Sequence, residues 1–179
     1  MKMKIGITGA NGYIGSNLVK SLLINSEYEI TALIHKNDNN LSGLNIKTIS
    51  GSVTDKNSLD LFTKDQDIVI HLASVQSTVA TEKDFEKVIY NGAQNIIESS
   101  LKNRVKKIIN VSTIRSFTDN KDNITPINEE SSLAVNDKNM PFDKWSAKAD
   151  QLFLNQDEKI DCICLNLGAV IGPEDNIVS

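Results

Sequence analysis

The chain has 179 residues, 40% of them hydrophobic and 23% charged, and a net charge of -4. That length suits one domain with a proper core, spanning 1–179, and the composition is that of a globular chain rather than a disordered one. The negative balance argues against a general attraction to nucleic acid or anionic membrane, no apolar run reaches transmembrane length, and two cysteines cannot make a disulfide framework.

Lys4-Ile5-Gly6-Ile7 predicts a first strand, and Leu18, Leu22 and Leu23 recur at the spacing of a helix. Between them lies Thr8-Gly9-Ala10-Asn11-Gly12-Tyr13-Ile14-Gly15. Glycines at a strand-to-helix junction permit a tight turn, a close approach of pyrophosphate to the backbone, and close packing of helix on strand. The first helical turn offers unpaired amides and a positive dipole end to phosphate. The Gly-x-x-Gly-x-x-Gly spacing after a threonine resembles the short-chain dehydrogenase/reductase superfamily in its extended, sugar-nucleotide epimerase/dehydratase form. The resemblance implies an NAD(P)-binding protein with a Rossmann-type, doubly wound parallel α/β sheet and helices on both faces. It covers only the family's amino-terminal, cofactor-binding part, without the carboxyl-terminal substrate lobe. It also implies cofactor contacts from Gly9, Asn11, Gly12, Tyr13, Ile14 and Gly15.

Tyr28 to Ile34 reads as the second strand. In a dinucleotide fold its carboxyl end reaches the adenosine ribose, where an acid binds the 2′-hydroxyl of NAD. His35-Lys36 stands there instead, which favours the 2′-phosphate of NADP, with NAD the alternative through Asp38. Ile46 to Ile49 reads as the third strand, followed by Gly51-Ser52-Val53-Thr54-Asp55. The resemblance gives Ser52 and Val53 as base contacts, Ser52 standing where relatives carry an acid, and makes Asp55 the cap of a helix with apolar Leu59, Leu61 and Phe62. Asp67 to Ser74 matches the family's fourth strand and implies that the cofactor lies against Leu72, Ala73 and Ser74. His71, inside that apolar run, reads as structural.

Glu82 to Lys102 has helical periodicity. The following basic cluster, with no interleaved aromatics, reads as a solvated helix end, not a nucleic-acid site. Ile108 to Val111 is the fifth strand, and Thr113 at its end matches the residue that bonds the reacting substrate oxygen in the family. Ser116-Phe117-Thr118 and Ile89 depart from the family's pattern. A polar stretch over 119–141 precedes a helix, and Ile160 to Leu167 forms the sixth strand, with Cys162 and Cys164 on one face as packing residues and no metal site. Gly168 to Pro173 matches a family turn.

The superfamily's catalytic device is Tyr-x-x-x-Lys on one helix face, the lysine binding the nicotinamide ribose and lowering the phenol's pKa. Lys148 matches the lysine, serving both cofactor and catalysis, while the tyrosine position is Lys144. Two functions follow. One is an NAD(P)-dependent oxidoreductase or epimerase/dehydratase acting on nucleotide sugars. The other is a non-catalytic dinucleotide-binding sensor or interaction subunit. The expected setting is cytoplasmic, and the resemblance implies a homodimer through the helices around Ile89–Leu101 and Lys144–Leu154.

Overall fold

A computed structural model describes residues 2–75, 80–117, 126–138, 140–156 and 159–172. Thr118, Pro173 and much of the 119–141 stretch lie outside the described residues. The strands are β1 (Met3–Thr8), β2 (Tyr28–Ile34), β3 (Lys47–Ser50), β4 (Ile68–His71), β5 (Lys107–Thr113) and β6 (Asp161–Leu167). They form one six-stranded sheet in the order β3-β2-β1-β4-β5-β6, and every pairing is parallel. The chain leaves β1 in one direction toward β2 and β3 and returns to the other side through β4. The switch point therefore lies between β1 and β4, where open α/β sheets bind ligands beyond the strands' carboxyl ends.

The helices are α1 (Tyr13–Leu22), α2 (Lys56–Thr63), α3 (Glu82–Phe85), α4 (Asn91–Lys102) and α5 (Pro141–Leu154). Strand alternation splits the apolar side chains into two cores. Ile5, Ile7, Ile30, Ala32 and Ile70 pack with Val19 of α1 on one face. Leu33, Val69 and Ile108 pack on the other with Leu59 and Phe62 of α2, Ile96 of α4 and Phe153 of α5. Asp55 caps α2 as expected, its carboxylate accepting from the amides of Asn57 and Ser58. Leu61, expected to pack inward, is 65% exposed, because it follows Leu59 by two and falls on the outer side of the helix.

The helix expected over Glu82 to Lys102 is not uniform. A π-helical turn over Glu86–Tyr90 separates α3 from α4. It buries Ile89 and sets the Tyr90 ring 5.5 Å from that of Trp145 on α5. Cys162 and Cys164 pack against the core on the α5 side, and burial pushes their thiols up to about 11 and about 12. The lysines of the basic cluster are paired: Lys102 with Asp60, Lys106 with Asp67, Lys107 with Asp161. The outer side of β6 is bare among the described residues, with Ile163 and Leu165 exposed.

Candidate dinucleotide site

Gly9 begins the turn with φ +68°, a left-handed conformation that glycine adopts without cost. A Cβ on Gly9 would stand 2.7 Å from the carbonyl carbon of Leu72 and 2.8 Å from the nitrogen of Ala73, so the turn is seated on the end of β4. A Cβ on Gly15 would stand 2.2 Å from the Gly9 oxygen, which is how closely α1 approaches its own turn. Gly12 is exposed, caps α1, and donates its amide to the Gly9 oxygen at 3.0 Å. The amides of Tyr13, Ile14 and Gly15 thus open the helix, and no acidic side chain in the first turn opposes an anion. Such a turn can cradle a pyrophosphate.

The turn is held from behind by a buried network. Thr8 Oγ1 accepts from the Ala73 amide at 3.2 Å and lies 2.7 Å from His71 Nδ1. The hydroxyl and the ring nitrogen share one hydrogen bond, whose direction follows the imidazole tautomer. Burial lowers the His71 pKa to about 4, which keeps the imidazole neutral at neutral pH. His71 ties β1 to β4 and does not face a ligand, as its place in an apolar strand suggests.

Beside the turn, His35 and Lys36 emerge exposed from the end of β2. Ser52 is engaged locally: its Oγ lies 3.0 Å from Thr54 Oγ1 and accepts from the Thr54 amide at 3.2 Å. Val53 has a core side chain, 5% exposed, and its carbonyl accepts from Asn95 Nδ2 at 3.0 Å. Asn11 is likewise occupied, by Asn37 and Asn40. Leu72 and Ala73 are half-buried and Ser74 is exposed. The structure thus gathers the glycine turn, 35–36, Ser52 and 72–74 along one edge of the sheet.

The second cluster, at the ends of β5 and β6, is built differently. Thr113 Oγ1 accepts from the Arg115 amide at 3.2 Å, and the Thr113 carbonyl accepts from Asn166 at 3.2 Å. Behind it Asp150 of α5 is 1% exposed. Its carboxylate accepts from Asn110 Nδ2, Ser112 Oγ and Asn166 Nδ2, each at 2.8 Å. Burial raises the Asp150 pKa, against the lowering effect of those donors and of Ser116. Sequence reasoning missed this network, although Asn110 inside an apolar strand was a signal, since a buried amide needs partners.

Lys148 packs on Trp145. Its ammonium lies 4.4 Å from the Trp145 ring centroid, and Lys144 Nζ lies 5.0 Å from the same ring while pairing with Glu82 of α3. Residues four apart share a helix face, and the face that reaches β5 and β6 carries Asp150. One and two turns back along it stand Ser146, which is buried, and Phe142. Phe142 packs edge-on against Phe85, with the Arg115 guanidinium over its ring, and Arg115 pairs with buried Asp143 at 2.8 Å. Lys144 and Lys148 lie on another flank because they are offset by two residues from that stripe.

A family model for the NAD dependent epimerase/dehydratase family matches residues 5–178. The chain is 35% identical over 124 residues to a UDP-N-acetyl-alpha-D-glucosaminuronate decarboxylase of Bacillus cytotoxicus, covering 63% of this chain and 37% of that protein. It is 25% identical to a UDP-glucose 4-epimerase of Vibrio cholerae, covering 97% of this chain and 53% of that one. Among solved structures, the Bordetella bronchiseptica enzyme WbmG in complex with NAD superposes with a TM-score of 0.82 at 23% identity, over 97% of this chain and 55% of that one. A UDP-N-acetylglucosamine 4-epimerase of Methanobrevibacter ruminantium superposes with a TM-score of 0.83 at 22% identity, over 100% and 59%. The chain spans about half the length or less of these proteins, and it belongs to the NAD dependent epimerase/dehydratase family.

Proposed function

We propose that this chain binds a nicotinamide dinucleotide at the edge formed by the glycine turn, with nucleotide sugars as the associated substrate class. The observation that carries the reading is the turn itself: Gly9 pressed on the Leu72–Ala73 peptide, Gly12 exposed, and an α1 amino terminus free of acids. The names of relatives, which act on UDP-sugars, support the substrate class. When bound, the cofactor supplies a hydride acceptor or donor. The chain's own residues hold its phosphates and orient its adenosine end.

The preference for NADP rests on exposed His35 and Lys36 alone, and the solved relatives that name a cofactor name NAD. Titration with NADH and NADPH, followed by heat or nucleotide fluorescence, decides it. Saturable binding of either supports the site, tighter NADPH supports the cationic pair, and no binding of either overturns the reading.

A second reading, a non-catalytic binder, is favoured by α5. Neither the register of Lys144 and Lys148 nor that of Phe142 and Ser146 holds a phenol four residues before an ammonium. Restoring the pair as Phe142→Tyr with Ser146→Lys, beside a separate Lys144→Tyr, and assaying UDP-sugars with cofactor tests both registers. Turnover only in the double variant would put the site on the Asp150 stripe and displace Lys148 from the role expected of it. Turnover in the unaltered chain would overturn the non-catalytic reading. The setting remains cytoplasmic in this proposal, and the chain homodimeric, which sedimentation of the purified protein checks.

A further inference from the structure

Asn11 stands in the middle of the glycine turn, yet its side chain is directed across the sheet edge, not outward. Its Nδ2 donates to Asn37 Oδ1 at 2.9 Å, its Oδ1 accepts from the Asn40 amide at 2.9 Å, and its carbonyl accepts from Asn40 Nδ2 at 2.8 Å. These bonds cross 26 and 29 residues of sequence, joining the pyrophosphate turn to the segment that follows β2. That segment is exposed from His35 to Asn40 and has no strand pairing of its own. It is anchored at one end by Ile34, which pairs with Ser50 in the sheet. At the other end Leu41 is 4% exposed in the α1-side core, with its amide on the Asp38 carbonyl at 2.8 Å. Between those anchors, the contacts to Asn11 fix its middle.

We infer that Asn11 is a positioning residue for recognition of the cofactor's adenosine ribose: it clasps the 37–40 segment to the glycine turn. In this way it sets where His35 and Lys36 stand relative to the phosphates. This rests on the dinucleotide reading above. Without the clasp, ordering the segment becomes a cost of binding, and preordering it removes that cost. Loss of the whole clasp is read as a roughly tenfold weaker affinity.

The test uses ADP-ribose, which carries the ribose and pyrophosphate without nicotinamide, titrated against the unaltered chain, Asn11→Ala, Asn40→Ala and the double variant. Asn11→Ala removes the two bonds of its side chain and Asn40→Ala only the one to the Asn11 carbonyl, so binding is expected to weaken severalfold in each single variant, more in Asn11→Ala, and roughly tenfold in the double, with melting temperatures of the free proteins close to the unaltered one. The NADPH-to-NADH affinity ratio should shift in the same direction in both singles, because both loosen the same segment. Loss in Asn11→Ala alone would mean that Asn11 acts directly on phosphate and would overturn the clasp. Loss in neither would overturn it as well. If the unaltered chain binds no ADP-ribose, NADH or NADPH, the dinucleotide reading itself fails and this role falls with it. Binding by the unaltered chain with undiminished binding by both singles is the separate failure of the clasp alone.

Discussion

The centre of the sheet and its β6 side use polar groups in opposite ways. Around β1 and β4 a neutral histidine and one threonine hydroxyl support a turn whose polar face is left open: the buried Thr8–His71 pair is complete, and the amides of α1 point outward. Around β5 and β6 the polar groups are turned inward on Asp150, and Asn110, Ser112 and Asn166 are committed to its carboxylate. The first arrangement preorganises a surface for a ligand; the second fixes a strand end to a helix. Both can sit in a site, but only the first presents unfilled hydrogen-bonding capacity along a phosphate-sized turn.

The contrast is broken most severely at Asp150. Asp150→Ala takes the carboxylate from buried Asn110 and from half-buried Ser112 and Asn166, and about 3 kcal/mol of stability is expected to go, read as a lower urea midpoint. Dinucleotide affinity of the fraction that remains folded should change little. A parallel loss of affinity would show that the two regions are one device. In the other region, Gly15→Ala drives a methyl into the Gly9 carbonyl and is expected to cost about 2 kcal/mol while abolishing cofactor binding, measured in the same two assays.

A pH series separates the two regions by sign. His71 has its folded pKa lowered to about 4 from 6.5, so its contribution is complete above pH 6.5 and is lost as pH falls toward 4. Asp150 is raised above 3.8, so its contribution is complete below 3.8 and declines as pH rises through its folded value. Urea unfolding between pH 7 and 4 should therefore show a decline in the unaltered chain that is flatter in His71→Gln. An identical slope in that variant would remove His71 as the titrating group. A smaller effect is expected from Lys144→Ala: its partner Glu82 is half exposed, so the melting temperature should move little.

Much of this contrast was legible in the chain, and unevenly so. The strand of Tyr28–Ile34 is found with the expected bounds, because its apolar run is buried on both sides and ends at charged His35-Lys36. The glycine turn was legible because its demands are backbone demands, and the residues that meet them are contiguous. Asp150 was not, because its partners come from β5 and β6 at separations of 38, 40 and 16 residues, and no local pattern marks them. The same holds for Asn11, whose type suits a turn and whose actual partners lie in another loop. Which face of α5 meets β5 was not legible from spacing either, because that contact, made by Asp150, exists only in three dimensions.

The smallest change is expected on the outer side of β6. There Leu165 is 45% exposed, whereas Ile108 on the neighbouring strand, facing α5, is fully buried. Threonine has the β-branched shape that strands favour and removes apolar surface. Leu165→Thr should therefore cost less than about 0.5 kcal/mol, and Ile108→Thr about 3 kcal/mol, both measured by urea unfolding at one protein concentration. A loss at Leu165 as large as that at Ile108 would mean that the bare face is covered in solution. The β6 side of the sheet would then owe its stability to contacts beyond the Asp150 network, and the division between an open region and a closed one would have to be redrawn.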